Sequence, residues 1–344
     1  MALTYTSQYG SAAALTGFVR TAMEATTGPN AGLSRFLPDE PVDDIEFRAE
    51  VGGSTLQRAA AFRSYDAESP IVGVSSQQTI TGQLPPISIK TRVNEYDRIK
   101  WASRSNAQQQ IENHAEKAGL ELGNAIRLRM EIARGQALMD GKVTLAENGL
   151  QLTADFGRRA EHTQTAAQLW GTASATPLAD LIAWRDIYST TNGTDPAGLL
   201  LSRKALTALL NSADTRMQVY GTGNDTRMVT ENDLNALLTS HGLPYVTVYG
   251  AKYENAAGVA AEILDSTKVL FLGGATESVG KTLWGTTAEA LEPKFQIDEE
   301  QQPGLVVSSY IDDDPVALWI KASAVAFPVV QNPNQTFSAT VLAG

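Results

Sequence analysis

Residues 106–140 read NAQQQIENHAEKAGLELGNAIRLRMEIARGQALMD and pass directly into GKVTLAENGLQLTADF at 141–156. In the first stretch Ile111, Ala115, Ala118, Leu122, Ile126, Met130, Ala133 and Ala137 recur in steps of three and four. That is the period of one helix face. Glu112, Lys117, Glu121, Arg127, Glu131 and Arg134 occupy the remainder, and no proline interrupts the run. The pattern predicts one helix over 105–139, a rod of roughly 50 Å at ~1.5 Å per residue. Compact domains ordinarily use helices of ~10–14 residues. Such a rod needs a long surface to lie on, and the segments around it look too extended to cover it alone.

The second stretch alternates Val143, Leu145, Leu150 and Leu152 with polar residues on both sides of Asn148-Gly149. Asn-Gly supplies the positive φ angles of a tight type I′ turn. A hairpin over 142–156 is therefore expected.

Working outward, residues 12–25 form a weak helical patch in a stretch of small and polar residues, closed by Gly28-Pro29-Asn30. Pro38 and Pro41 then punctuate what reads as extended chain. Residues 47–95 show strand-like alternation at 78–81 and 87–93, few large apolar residues, a Gly52-Gly53 pair and a Pro85-Pro86 break. This composition fits a projecting two-stranded loop, which is marginal alone in water and should find a partner surface. From about residue 170, helices and strands interleave, which predicts a mixed domain. Thr176-Pro177 opens one helix, Ser202 can cap a second, and Thr230 with Asp233 resembles a capping box for a third. Strands are expected at KVLFLGG, LVVSSYI, ALWIKASAVAFPVV and TFSATVL.

Composition excludes several function classes. The chain has 344 residues, formal charge −11 and no cysteine. Without cysteine there is no disulfide, thiolate metal site or thiol nucleophile. The cations are scattered, whereas nucleic-acid readers cluster them along phosphates. The start lacks a basic segment followed by an apolar run, and no stretch approaches the ~20 apolar residues of a membrane helix. No leader and no membrane span are expected.

Candidate chemistry is thin. VLFLGGATESVGKT at 269–282 approaches a phosphate-binding loop, but G-x-x-x-x-G-K-[ST] needs glycine where Ala275 stands. A nucleotide-binding enzyme using Lys281 is nevertheless the alternative from a different class. His114, His162 and His241 are far apart and form no metal-ligand spacing. Asp312-Asp313-Asp314 lacks the alternating oxygens of a calcium loop. No catalytic residue, metal or cofactor is assigned.

Four segments in order carry a resemblance: SPIVGVSS (69–76), MEIARGQALMDGKVTLAENGLQLTADFGR (130–158), DSTKVLFLGGATESVGKTLWGTTAEA (265–290) and DPVALWIKASAVAFPVVQNPNQTFSATVLAG (314–344). Together they resemble the major capsid proteins of tailed bacteriophages, the lambda-type major head protein family in particular. The resemblance implies an α+β tailed-phage capsid fold. Its parts would be an N-terminal arm and lead-in (1–47), an extended loop (48–95), a peripheral domain with spine helix and hairpin (96–169), an axial domain (170–312) and return strands (313–344). It further implies a self-assembling icosahedral shell of pentamers and hexamers around double-stranded DNA. Partners would be a separate scaffolding protein, a portal and a decoration protein at three-fold sites. An encapsulin-like nanocompartment is the structural alternative. Inter-subunit contacts would fall to Arg35, Phe36, Phe62, Tyr65, Pro70, Ile71, Ile87 and Lys90, and bending of the spine to Gly119, Gly123 and Gly135. Some members join a loop lysine to a neighbour's asparagine. Lys90 and Asn332 or Asn334 are the residues to consider here, although lambda-type shells look uncross-linked.

Overall fold

The computed structural model describes residues 12–27, 32–51, 59, 62–65, 68, 78–103, 107–222, 227–255, 257–274, 279–298, 302–314 and 316–344. The long amphipathic run is one helix, Ala107–Asp140. Two compact units divide the chain: 1–48, 81–134 and 281–329 form the first, and 49–80, 135–280 and 330–344 the second.

The first unit is organised by the strand Val316–Val330. On one side it pairs antiparallel with Pro86–Val93, and on the other with Val306–Asp313. Gly280–Gly285 also borders it, and Asp39–Pro41 adds in parallel to that strand. Strand alternation sends Leu318, Ile320, Ala322 and Ala324 to one face, where all four are buried. Ile320, Ala322 and Ala324 meet Ala115, Ala118, Leu122 and Ile126 of the long helix, together with Val307 and Leu305. Alanines on both surfaces let the helix lie close. The helix Ala12–Thr27 completes this core through Val19. The Thr16 hydroxyl donates to the Val307 carbonyl (3.1 Å) and accepts from the Val307 amide (3.0 Å). A short helix, Glu95–Ala102, absent from the sequence expectation, follows the strand Pro86–Val93.

Gly119 and Gly123 have a packing reason. A Cβ on Gly119 would stand 3.1 Å from Val19, and one on Gly123 would stand 2.9 Å from both Met23 and Val19. The bare helix backbone there is what admits the N-terminal helix.

In the second unit a five-stranded sheet runs Thr163–Thr165, Thr336–Thr340, Lys268–Leu272, Gly198–Leu201, Val246–Val248. Helices Pro177–Asn192, Arg203–Asn211, Ala213–Tyr220 and Glu231–Ser240 belong to this unit. Its core gathers Trp170, Trp184, Tyr188, Leu206, Leu238, Phe271 and Phe337. Ser202 accepts from the Ala205 amide, and Thr230 with Asp233 closes a reciprocal capping box. Pro177 opens its helix without a side-chain bond from Thr176.

Lys142–Glu147 and Leu150–Asp155 pair around Asn148 (φ 48°) and Gly149 (φ 86°). The end of the long helix is held by Arg158, whose guanidinium donates to the carbonyls of Leu138 (3.1 Å) and Met139 (2.8 Å). These are carbonyls that a helix end cannot satisfy itself. Gly135 lies here too, where a Cβ would meet the Ile263 carbonyl at 3.0 Å.

The division differs from the sequence boundaries at several points: 135–169 and 330–344, expected in the peripheral domain, group with the second unit, and the loop expected over 48–95 is shared between the two units. Residues 281–312 were expected in the axial domain, yet 281–329 group with the first unit. The cause is pairing: Val306–Asp313 bonds along Val316–Val330, and Gly280–Gly285 along Asp39–Pro41.

Candidate functional site

Among the described residues no enzymatic constellation forms, no group of His, Asp and Glu could hold a metal, and no helix is long and apolar enough to cross a membrane. Lys281 begins no helix: it lies on the strand Gly280–Gly285 with its ammonium paired to Glu40. Ala275 lies outside the described residues. His114 sits 5.3 Å from the Trp101 ring, and His241 is an exposed helix C-cap. His162 is fully buried, with Nδ1 3.1 Å from the Thr336 carbonyl and Nε2 without a hydrogen-bond partner. Burial holds its pKa below the ordinary value; the Thr336 bond opposes this, and Arg158 and Arg159 add to it.

The candidate site is therefore a set of surfaces on the first unit. Its lead-in segment is fastened from below by Arg134, only 3% exposed. Arg134 donates to the Thr282 hydroxyl (2.8 Å) and Glu131 (3.3 Å) and pairs with Asp39. Glu131 in turn accepts from the Leu33 amide at 2.7 Å, and the Trp284 indole donates to Asp39 at 2.6 Å. A buried charge persists only with such complete pairing. This fixes residues 33–41, from which residues 43–46 emerge as an exposed run: Asp43, Asp44, Ile45, Glu46. Asp44 accepts from the Glu46 amide (3.1 Å), and the Ile45 carbonyl accepts from Leu84 (2.9 Å).

The sheet face opposite the long helix carries a different chemistry. Trp319 is paired with Arg92 on one side and Tyr310 on the other; Lys321 is paired with Lys90 and Ser308. The Tyr310 and Trp319 rings stack at 6.4 Å and 13°. Lys90 Nζ lies 4.3 Å from the Trp319 centroid and donates to the Tyr310 hydroxyl at 3.3 Å. Lys321 pairs with Glu289, which also accepts from Ser323 at 3.0 Å. Burial alone would raise the Glu289 carboxyl, but the Lys321 and Ser323 hydrogen bonds hold it below its ordinary value.

The residues expected at subunit contacts stand in different surroundings. Phe36 is buried in its own chain, with the exposed Arg35 guanidinium 4.4 Å over its ring. That contact is spent internally, which removes Phe36 from a free surface. Ile87 is half-buried against the first core. Phe62 and Tyr65 are fully exposed, and Lys90 is exposed on the sheet face. Pro70 and Ile71 lie outside the described residues. Sequence reasoning missed Trp319, Tyr310 and Arg92; the available signal was the every-second-residue placement of Lys90 and Arg92, of Tyr310 and Asp312, and of Trp319 and Lys321.

Comparison with solved structures gives the fold. A phage-related protein from Bordetella bronchiseptica RB50 superposes with TM-score 0.58 at 14% identity, covering 95% of each chain. A prophage protein of E. coli CFT073, proposed as a capsid protein, superposes with TM-score 0.62 at 14% identity, over 97% of this chain and 99% of that one. No curated protein matches the sequence significantly. The family described as phage major capsid protein E matches residues 29–341, most of each compact unit. With that match and the α+β capsid fold, the chain is a structural protein of the virion, and it belongs to the phage major capsid protein E family.

Proposed function

We propose that this chain builds a closed icosahedral shell of pentamers and hexamers around double-stranded DNA. The observation that carries the reading is the family match along nearly the whole chain. Surface chemistry supports it. Phe62 and Tyr65 are fully exposed between the strands Glu46–Val51 and Gln78–Gln83, apolar area of the kind a partner covers. The formal charge of −11 would limit adhesion of packaged DNA to the wall while adding repulsion that subunit contacts must exceed. One sequence in five- and six-fold rings needs unlike faces that meet head to tail with adjustable curvature. Bending near Gly119, Gly123 and Gly135 belongs to this proposal, as do the extended loop and the domain roles named above. A scaffolding protein, a portal and a decoration protein at three-fold sites are partners that the lambda-type resemblance implies.

The test is negative-stain electron microscopy of the purified protein, alone and with a candidate scaffold, beside sedimentation. Shells, tubes or capsomer rings are expected. A sharp monomer under every condition would overturn the shell reading.

A further inference from the structure

We propose that the sheet face around Trp319 and Tyr310 receives residues 43–46 of a second copy of this chain. The inference rests on the shell reading and specifies one of its contacts. The receiving face presents two stacked rings flanked by the exposed cations Lys90 and Arg92. Lys321, in the next row, is matched by Glu289, and Asp312 stands beyond the Arg92 row, so Lys90 and Arg92 are the cations nearest the rings.

Residues 43–46 are the complement. Ile45 is 52% exposed between Asp43 and Asp44 on one side and Glu46 on the other. An apolar side chain among carboxylates matches an aromatic pair between cations, in both shape of contact and charge. The run is also preorganised by the Asp44 turn and the Ile45–Leu84 bond, which lowers the entropy lost on docking. Other carboxylates fit less well: the exposed Glu95 and the half-buried Asp97 share a helix with Lys100, whose ammonium lies 5.8 Å over Tyr96.

Geometry separates the two surfaces within one subunit. Ile45 is bonded beside the start of the strand Pro86–Val93, while Lys90 and Arg92 lie towards its far end. Pro86 to Arg92 spans about 20 Å at ~3.3 Å per residue. The run cannot reach its complement in its own subunit. Pairing between copies is head to tail, the arrangement that closes rings.

Charge reversal tests this in the full-length protein. K90E/R92E and, separately, D43K/E46K should each abolish rings and shells in sedimentation and microscopy, with the monomer still folded by circular dichroism. The combined four-fold variant should restore assembly. D43K/E46K leaves the Asp44 turn in place and serves as the second handle should K90E/R92E not fold. Normal assembly of either folded variant overturns the contact while leaving the shell reading intact, as does failure of the combined variant to assemble when its parts fold. Wild-type protein that never assembles removes the shell reading itself.

Discussion

Thr16 and Val307 exchange two hydrogen bonds, the hydroxyl donating at 3.1 Å and accepting at 3.0 Å, although 291 residues separate them. A side chain of the N-terminal helix thus acts as a strand partner at a buried site. Replacing Thr16 by valine keeps the shape and leaves both Val307 groups unpaired. The expected loss is about 1–3 kcal/mol in denaturant unfolding. T16S should keep most of the stability; equal stability of T16V and wild type would show the pair to be dispensable.

Two glycine substitutions should move stability in opposite directions. Gly17 lies in the helix Ala12–Thr27 with nothing near its Cβ position, so G17A should stabilise by up to about 1 kcal/mol. Gly123 sits against Met23 and Val19, and G123A should cost about 1–3 kcal/mol through overpacking. Thermal melts of the two variants check the sign. A stabilised G123A would mean that the N-terminal helix does not rest there in solution.

Arg158 should be the residue on which the end of the long helix depends. R158A frees the Leu138 and Met139 carbonyls and should cost about 1–3 kcal/mol. R158K can reach one carbonyl but not hold both in a planar fork, so it should fall between. Hydrogen exchange at 136–141 should quicken in R158A; unchanged protection there would argue against the cap.

Acid should weaken the second unit through His162. Its folded-state pKa is lowered, by burial first, so the unfolded chain takes up the proton more readily. Stability is then level above about pH 7 and falls as pH drops below the unfolded value of about 6.5, until the folded pKa is reached. Around the ring stand Arg158, Arg159 and Glu161, the Thr336 carbonyl, Tyr188 and Phe337. Urea midpoints at pH 7.5 and 5.0 should differ for wild type and differ less for H162Q. Equal sensitivity in both would assign the acid response elsewhere.

Legibility in the sequence followed the range of the interactions. The long helix, the Asn148-Gly149 hairpin and the caps at Ser202 and Thr230 are local, so spacing and turn chemistry reveal them. The helix Glu95–Ala102 was not read, because Tyr96 and Ile99 stay exposed and leave no clean apolar stripe. The packing of Gly119 and Gly123 against Val19 and Met23 was not legible either, because a close neighbour far away in the chain leaves no mark beside them. The same limit applied to the strand Val306–Asp313, whose place is decided by its partner, and to Phe36, which looks like a surface anchor until its own chain covers it.

The strand Val316–Val330 has a consequence for synthesis. All its partners, at 39–41, 86–93, 280–285 and 306–313, precede it in the chain, directly or through one intermediate strand. Non-local pairing of this kind is slow and cannot begin until the last participant exists. A ribosome that stalls before residue 316 therefore releases a chain without the platform on which its own long helix rests. Translation order would act as an inspection step, keeping unfinished subunits out of the wall.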